Sequence, residues 1–230
     1  MKRPVRSLVP VLLLASWHAT AAPLPVDIKN PSFEDNAAGL APAPGNFSTN
    51  NIPQWVASGA GLYNPNTPVA FAPAGTEVAY LNSGGSIAQT LVFPGGAPVT
   101  ASPGAIIVLN MQARPRTLNM SGTLTLDVRV GATSISAATG TIALATNNVA
   151  YSTVSGTVTM GDAAKLGAAN GQPVTLVISN TGDQANLDTL SATVTYPPAI
   201  NSFTAAPTPA TAGQPVTLSW TVAGATTLSL

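Results

Sequence analysis

Gly122-Thr123-Leu124-Thr125-Leu126-Asp127-Val128-Arg129-Val130 alternates apolar and polar residues without a break. In an extended chain Leu124, Leu126, Val128 and Val130 fall on one side, and Thr123, Thr125, Asp127 and Arg129 on the other. One side suits a core and the other suits water, as in an antiparallel sheet with one wet face. Working outward, the same kind of pattern places further strands at 77–81, 86–93, 105–113, 134–138, 151–160, 174–180 and 188–196. Turn clusters such as Asn82-Ser83-Gly84-Gly85, Pro94-Gly95-Gly96, Asn170-Gly171 and Thr181-Gly182-Asp183 separate them. Ile106 to Met111 is apolar on both faces, which predicts a central strand covered on both sides or lining a concave surface. The segment 26–69 is rich in Pro, Gly and Asn and reads as one short strand followed by a long wrapped loop. The only helical candidate, 162–169, is a turn or two. Eight or nine short strands without a long helix predict an all-β, antiparallel jelly-roll β-sandwich.

Lys2, Arg3 and Arg6 precede an apolar run at 8–15 and then Ala19-Thr20-Ala21, the three-part layout of a secretory leader cleaved between Ala21 and Ala22. The run is far shorter than the ~20 residues that span a bilayer, so no membrane-spanning segment is expected once the leader is removed. The expected location is secreted, extracellular or at the cell surface. Three of the eight basic residues and none of the eight acids lie in the leader, leaving the mature chain net acidic. That balance argues against a nucleic-acid partner. The single histidine, His18, is also in the leader, and there is no cysteine. Ser-His-Asp and Cys-His nucleophiles, His/Cys zinc sites, haem ligation and disulfides are thereby excluded from the mature chain.

Residues 22–196 are enough for one full sandwich. Pro197-Pro198-Ala199 reads as a linker, because two prolines stop a strand and stiffen the connection. From Ile200 a new unit begins: Ile200 and Phe203, a turn at 211–215, then Val216, Leu218, Trp220 and Val222 on one face. Residues 200–230 hold too few strands to close a core, so they read as a truncated second β-sandwich with Trp220 in its interior. Gly-Gln-Pro-Val-Thr-Leu occurs at both 171–176 and 213–218, but the flanking residues differ. The repeat is read as one turn-into-strand solution used twice.

Asp188 shares its parity with Leu190, Ala192, Val194 and Tyr196, so its carboxylate is expected to point inward. Desolvating an unpaired carboxylate costs several kcal/mol, so it needs partners. A calcium ion held by carboxylates and backbone carbonyls is one solution. Backbone N–H bonds in the turn after Gly182 are the other. Trp55 and Tyr63, in the long segment, are candidates to stack on a sugar ring, although Trp55 also suits a plug at one end of a sandwich. Gln112, Arg114 and Arg116 continue one strand and are candidates to line a concave face.

Several segments resemble a known group. Asn30-Pro31-Ser32-Phe33-Glu34, Ile52-Pro53-Gln54-Trp55, Val78-Ala79-Tyr80-Leu81, Ser86-Ile87-Ala88-Gln89-Thr90-Leu91 and Leu187-Asp188-Thr189-Leu190 resemble galactose-binding-like jelly rolls of the carbohydrate-binding-module and Stig cyclase type. The resemblance implies a structural calcium (Ca2+) site built from Glu34 and Asp188, with a closing Asp-Thr-Leu in place of the usual Asp-Asn-Val. Residues 200–220 resemble the start of bacterial immunoglobulin-like domains. The remaining acids are scattered, which disfavours the paired carboxylates of a glycosidase. The expectation is therefore a secreted, non-catalytic binding or structural module with a glycan as candidate partner. The alternatives are a calcium-dependent Stig-cyclase-like enzyme acting on a small apolar substrate, and a ligand-free spacer or adhesin segment.

Overall fold

The computed structural model describes residues 18–35, 43–65, 72–116, 121–144, 150–211, 213–224 and 227–229. Its strands in chain order are β1 (His18–Thr20), β2 (Leu24–Val26), β3 (Val56–Tyr63), β4 (Val78–Thr90), β5 (Ile106–Pro115), β6 (Gly122–Val130), β7 (Thr133–Ser134), β8 (Ser136–Ala138), β9 (Gly140–Leu144), β10 (Ser152–Met160), β11 (Thr175–Gly182), β12 (Ala185–Thr195), β13 (Ala199–Ala206), β14 (Thr217–Ala223) and β15 (Thr227–Ser229). One short helix, α1 (Ala163–Leu166), follows β10; Asp162 caps it by accepting the Lys165 N–H at 2.8 Å. The leader expected at 1–21 lies almost wholly outside the described residues.

The chain divides into two units, one of residues 23–197 and one of residues 1–22 with 198–230. In the larger unit every strand pair is antiparallel, in the order β7-β6-β11-β4-β12-β5-β10-β8, with β2 on β12, β3 on β4 and β9 on β6. The sequence suggested two strands separated by a turn at 82–85, but the chain runs through as the single bent strand β4. Its first half pairs with β12 and its second half with β11, so β4 joins the two layers of the sandwich. Gly84, at φ +74, sits at the bend, where a side-chain-bearing residue would be strained. The all-β jelly-roll reading holds.

The β6 alternation holds as well: Leu124, Leu126 and Val128 are fully buried. They join Leu81, Ile87, Leu109, Met111, Ile178, Leu187 and others in one apolar core between the layers. Asp127, expected on the wet face, is buried. It accepts hydrogen bonds from Ser134 Oγ (2.6 Å), Ser136 Oγ (2.9 Å) and Arg129 Nε (2.7 Å). Burial pushes its carboxyl up, but these donors and the Arg129 charge outweigh that and hold it below the usual carboxylate range.

The smaller unit contributes two strand pairs among the described residues, β1 with β15 and β13 with β14. Phe203 lies directly opposite Trp220. Phe203 is 54% exposed and Trp220 is partly exposed, which corrects the expectation of an interior Trp220.

Candidate functional site

The layer containing β12 and β5 has two different faces. Ala185 and Leu187 of β12 and Met111 and Ala113 of β5 turn toward the core. The residues between them turn to the other face, and cross-strand register aligns them in rows. Gly61 of β3 opposes Tyr80 of β4, Tyr80 opposes Asn186 of β12, and Asn186 opposes Arg114 of β5. Directly paired residues project to the same side of a sheet, so Tyr80, Asn186 and Arg114 form one row. Tyr151, immediately before β10, extends it, with the Arg114 guanidinium carbon 5.1 Å from its ring centroid.

Two residues further along lie Asn82, Gln184 and Arg116. Gln184 donates to Asn82 Oδ1 at 2.7 Å and accepts the Arg116 N–H at 2.9 Å through its backbone carbonyl. These three side chains, with Gly45, Phe47, Thr49, Tyr63 and Tyr80, line a cavity of about 340 Å³. The segment 45–50 forms its outer wall by pairing along β3, with Ser48 N–H to Leu62 O at 2.9 Å and Asn50 N–H to Ala60 O at 2.7 Å. Tyr80 pins that wall through its hydroxyl, which donates to Ser48 O at 2.8 Å. Gly61 is required beneath it, because a Cβ there would sit 2.0 Å from Ser48 O. Phe47 meets Tyr80 edge-on, with centroids 6.0 Å apart. The cavity therefore has an aromatic side and an amide and guanidinium side.

On the opposite side of the Tyr80 row lie Asp188 and Gln112, again directly paired. Asp188 is fully buried, but the parity argument for its inward direction fails. The register shifts between Asp188 and Ser191, and Thr189 takes φ +49. This bulge places Asp188 on the face opposite Ala192 and Val194, with Asn186 and Arg114. Its burial comes from the segment 74–77: Ala74 N–H donates to Oδ2 at 2.8 Å, while Thr189 N–H donates to Oδ1 at 2.6 Å. Glu34 holds the same segment, its Oε1 accepting from Thr76 N–H at 2.8 Å and Glu77 N–H at 2.6 Å. Gly75, at φ +66, leaves room for this, since a Cβ would lie 2.2 Å from Glu34 Cδ. Burial pushes the Asp188 carboxyl up to about 6; the two N–H bonds oppose that shift, and the Glu34 charge adds to it.

The expected site residues are thus divided. Tyr63 lines the cavity. Glu34 and Asp188 meet at the 74–77 segment. Gln112 is on the polar face, donating to Thr153 Oγ1 at 2.7 Å, and Arg114 is buried there rather than lining the cavity. Trp55 does not belong to the site. It is 7% exposed, packs on Phe33 at 6.1 Å between centroids and donates from Nε1 to Asn30 O at 3.4 Å. Phe47, Tyr80, Asn82, Gln184, Asn186 and Tyr151 were not anticipated. The signal for two of them was present in the parity of Gln184 and Asn186 against Ala185 and Leu187.

Solved cyclase structures share this architecture. The family profile described as HpiC1 cyclase, of the HpiC1-like family, matches residues 24–219. A Stig cyclase from Fischerella sp. TAU, solved in complex with (3Z)-3-(1-methyl-2-pyrrolidinylidene)-3H-indole, superimposes with TM-score 0.52 at 14% identity over 75% of this chain and 98% of its own. An apo cyclase from Fischerella sp. gives TM-score 0.52 at 15% identity over 75% and 96%. The carbohydrate-binding module TmCBM61, in complex with β-1,4-galactotriose, gives TM-score 0.41 at 14% identity over 72% and 95%. No curated protein sequence matches the chain. The expectation of a non-enzymatic module is overturned by the profile match, which covers most of the chain and describes a family of cyclases. The chain belongs to the HpiC1-like cyclase family.

Proposed function

We propose that this protein is an exported cyclase that holds one small, largely apolar molecule in the cavity on the polar face and closes a ring within it. The carrying observation is the composition of that cavity: Phe47, Tyr63 and Tyr80 on one side, Asn82, Arg116 and Gln184 on the other, around about 340 Å³. Aromatic walls hold a flexible hydrocarbon in a compact conformer and stabilise positive charge that develops as a ring closes. The amide and guanidinium groups fix the polar end of the substrate. Among the described lining residues there is no carboxyl group, so Tyr63, Tyr80 and Arg116 are the ionisable side chains at hand. An intramolecular ring closure needs no co-reactant and leaves the mass unchanged.

The Fischerella cyclase is seen with an indole-bearing ligand, so indole is the first probe. Titration monitored by calorimetry should show binding that Tyr63→Ala and Phe47→Ala abolish without unfolding the protein. Candidate indole-bearing polyenes should then yield isomers of identical mass and shifted retention. Absence of indole binding to the wild-type protein would overturn this reading. A second reading, glycan binding, draws on Phe47, which is 66% exposed beside Asn82 and Gln184, as a platform for a sugar ring. Binding of an oligosaccharide in place of indole, lost in Phe47→Ala, would select it.

A structural calcium ion at Glu34 and Asp188 is the second part of the proposal. Their charges act on one another, and both reach the 74–77 segment. Two converging carboxylates fit a hard cation. Among the described residues no third His, Cys, Asp or Glu joins them, so carbonyl or water oxygens would complete the shell. The ion would cross-link the start of the domain to β12 and take no part in the reaction.

A further inference from the structure

Asn186 occupies the centre of the polar face, between Tyr80 and Arg114. It is 1% exposed, yet neither Nδ2 nor Oδ1 has a hydrogen-bond partner. The Tyr151 hydroxyl, in the same row, is buried and also without a partner. Arg114 and Asn186 both lie near it, and burial, the largest influence, keeps the phenol protonated. A buried amide left unsatisfied bears the full penalty of its desolvation. Such a group in a folded protein calls for an occupant. Asp127, also buried, shows that this fold can satisfy such a side chain when it serves only structure: it takes three side-chain donors. Asn180, whose Oδ1 is unpaired, still places Nδ2 on Leu81 O and Asn82 O, whereas Asn186 has neither end paired.

We propose that Asn186 and Tyr151 form a recognition subsite for a neutral lactam or amide on the ligand of the adjacent cavity; this rests on the cavity reading above. Asn186 Nδ2 and the Tyr151 hydroxyl donate to the ligand carbonyl, and Asn186 Oδ1 accepts its N–H. The amide offers the donor and acceptor that this ligand edge requires. A neutral group is favoured because Asn186 is buried, and a charged ligand would have to shed its hydration there. Access is short. Gln184, which lines the cavity, is the next same-face residue to Asn186 on β12, and Tyr80, directly opposite Asn186, lines the cavity too. A fused bicyclic ring held beside Phe47 and Tyr80 extends one residue pair along the sheet to reach the subsite.

The test uses the whole protein and two rings of matched shape, 2-oxindole, which carries a lactam, and indane, which does not. Wild-type protein should bind oxindole at least tenfold more tightly than indane. Asn186→Leu should remove that preference while leaving indane affinity and melting temperature undiminished, because an apolar side chain needs no partner there. Tyr151→Phe, which deletes one oxygen, should reduce the preference severalfold and serves as the second variant if Asn186→Leu fails to fold. Equal binding of the two rings to wild type, or a preference that survives both variants, overturns the subsite and leaves the cavity standing. Failure of both rings to bind overturns the cavity reading and the subsite together.

Discussion

The two faces of β4, β5 and β12 are equally dry and chemically opposite. On one, Leu81, Met111 and Leu187 are no more than 1% exposed; on the other, Tyr80, Arg114, Asn186 and Asp188 are no more than 5% exposed. Burial by itself therefore does not separate core from site in this fold. The separation lies in what the buried atoms can do: the apolar face needs only close packing, whereas the polar face holds groups whose hydrogen-bonding capacity its neighbours leave partly unused.

The largest effects should come from the apolar side. Leu187→Ala and Trp55→Ala should each cost about 2–5 kcal/mol in denaturant unfolding, through lost transfer energy and a cavity. Asn186→Leu, one residue away on the opposite face, should cost nothing. A similar loss for both substitutions would break the distinction between the faces.

The next effect concerns the 74–77 segment. If calcium joins Glu34 and Asp188, a hundredfold excess over Kd stabilises the fold by about 2.7 kcal/mol. For a domain of this size that raises Tm by roughly 5–10 °C. Chelation should reverse the shift, and Glu34→Gln and Asp188→Asn should each remove the response. Identical melting curves in calcium and chelator would dispose of the ion.

A smaller effect is set by Asp127. Its carboxyl titrates below its unfolded value, so the stability it contributes is present above about pH 4 and is lost as pH falls through the folded pKa. The stability difference between wild type and Asp127→Asn should shrink on acidification below about pH 4. A difference that stays constant there would remove the linkage. The smallest change in stability belongs to Phe47→Ala, expected within about 0.5 kcal/mol because the ring is exposed, although ligand binding is lost. A large destabilisation would make Phe47 a structural residue.

The all-β class and the strand at 122–130 were legible because alternation is a local property, and the short helix because Asp162 caps it within three residues. Asp188 was misplaced because parity counting assumes an unbroken strand, and the shift at Thr189 reverses every side chain beyond it. Strand β3 was hidden in a segment whose Ser, Gly and Ala residues carry little alternation, although its last residue, Tyr63, was singled out from sequence and lines the cavity. Tyr80 and Phe47 could not be paired from sequence, since 32 intervening residues return to the same wall only through the pairing of β3 with β4. Gln184 and Asn186 carried a signal, since they alternate with the apolar Ala185 and Leu187, but they fall ahead of the strand read at 188–196.

The pairing of β2 with the end of β12 has a further consequence. Leu24 lies opposite Val194, so the chain enters and leaves the larger unit on adjacent strands. Chains whose ends meet in this way tolerate being opened elsewhere. Joining the ends with a few flexible residues and cutting at the exposed Pro94-Gly95-Gly96 turn should yield a circular permutant with the same fold. By the same geometry, the unit could be spliced into a surface loop of an unrelated host at a single point, displacing the host's own strands very little.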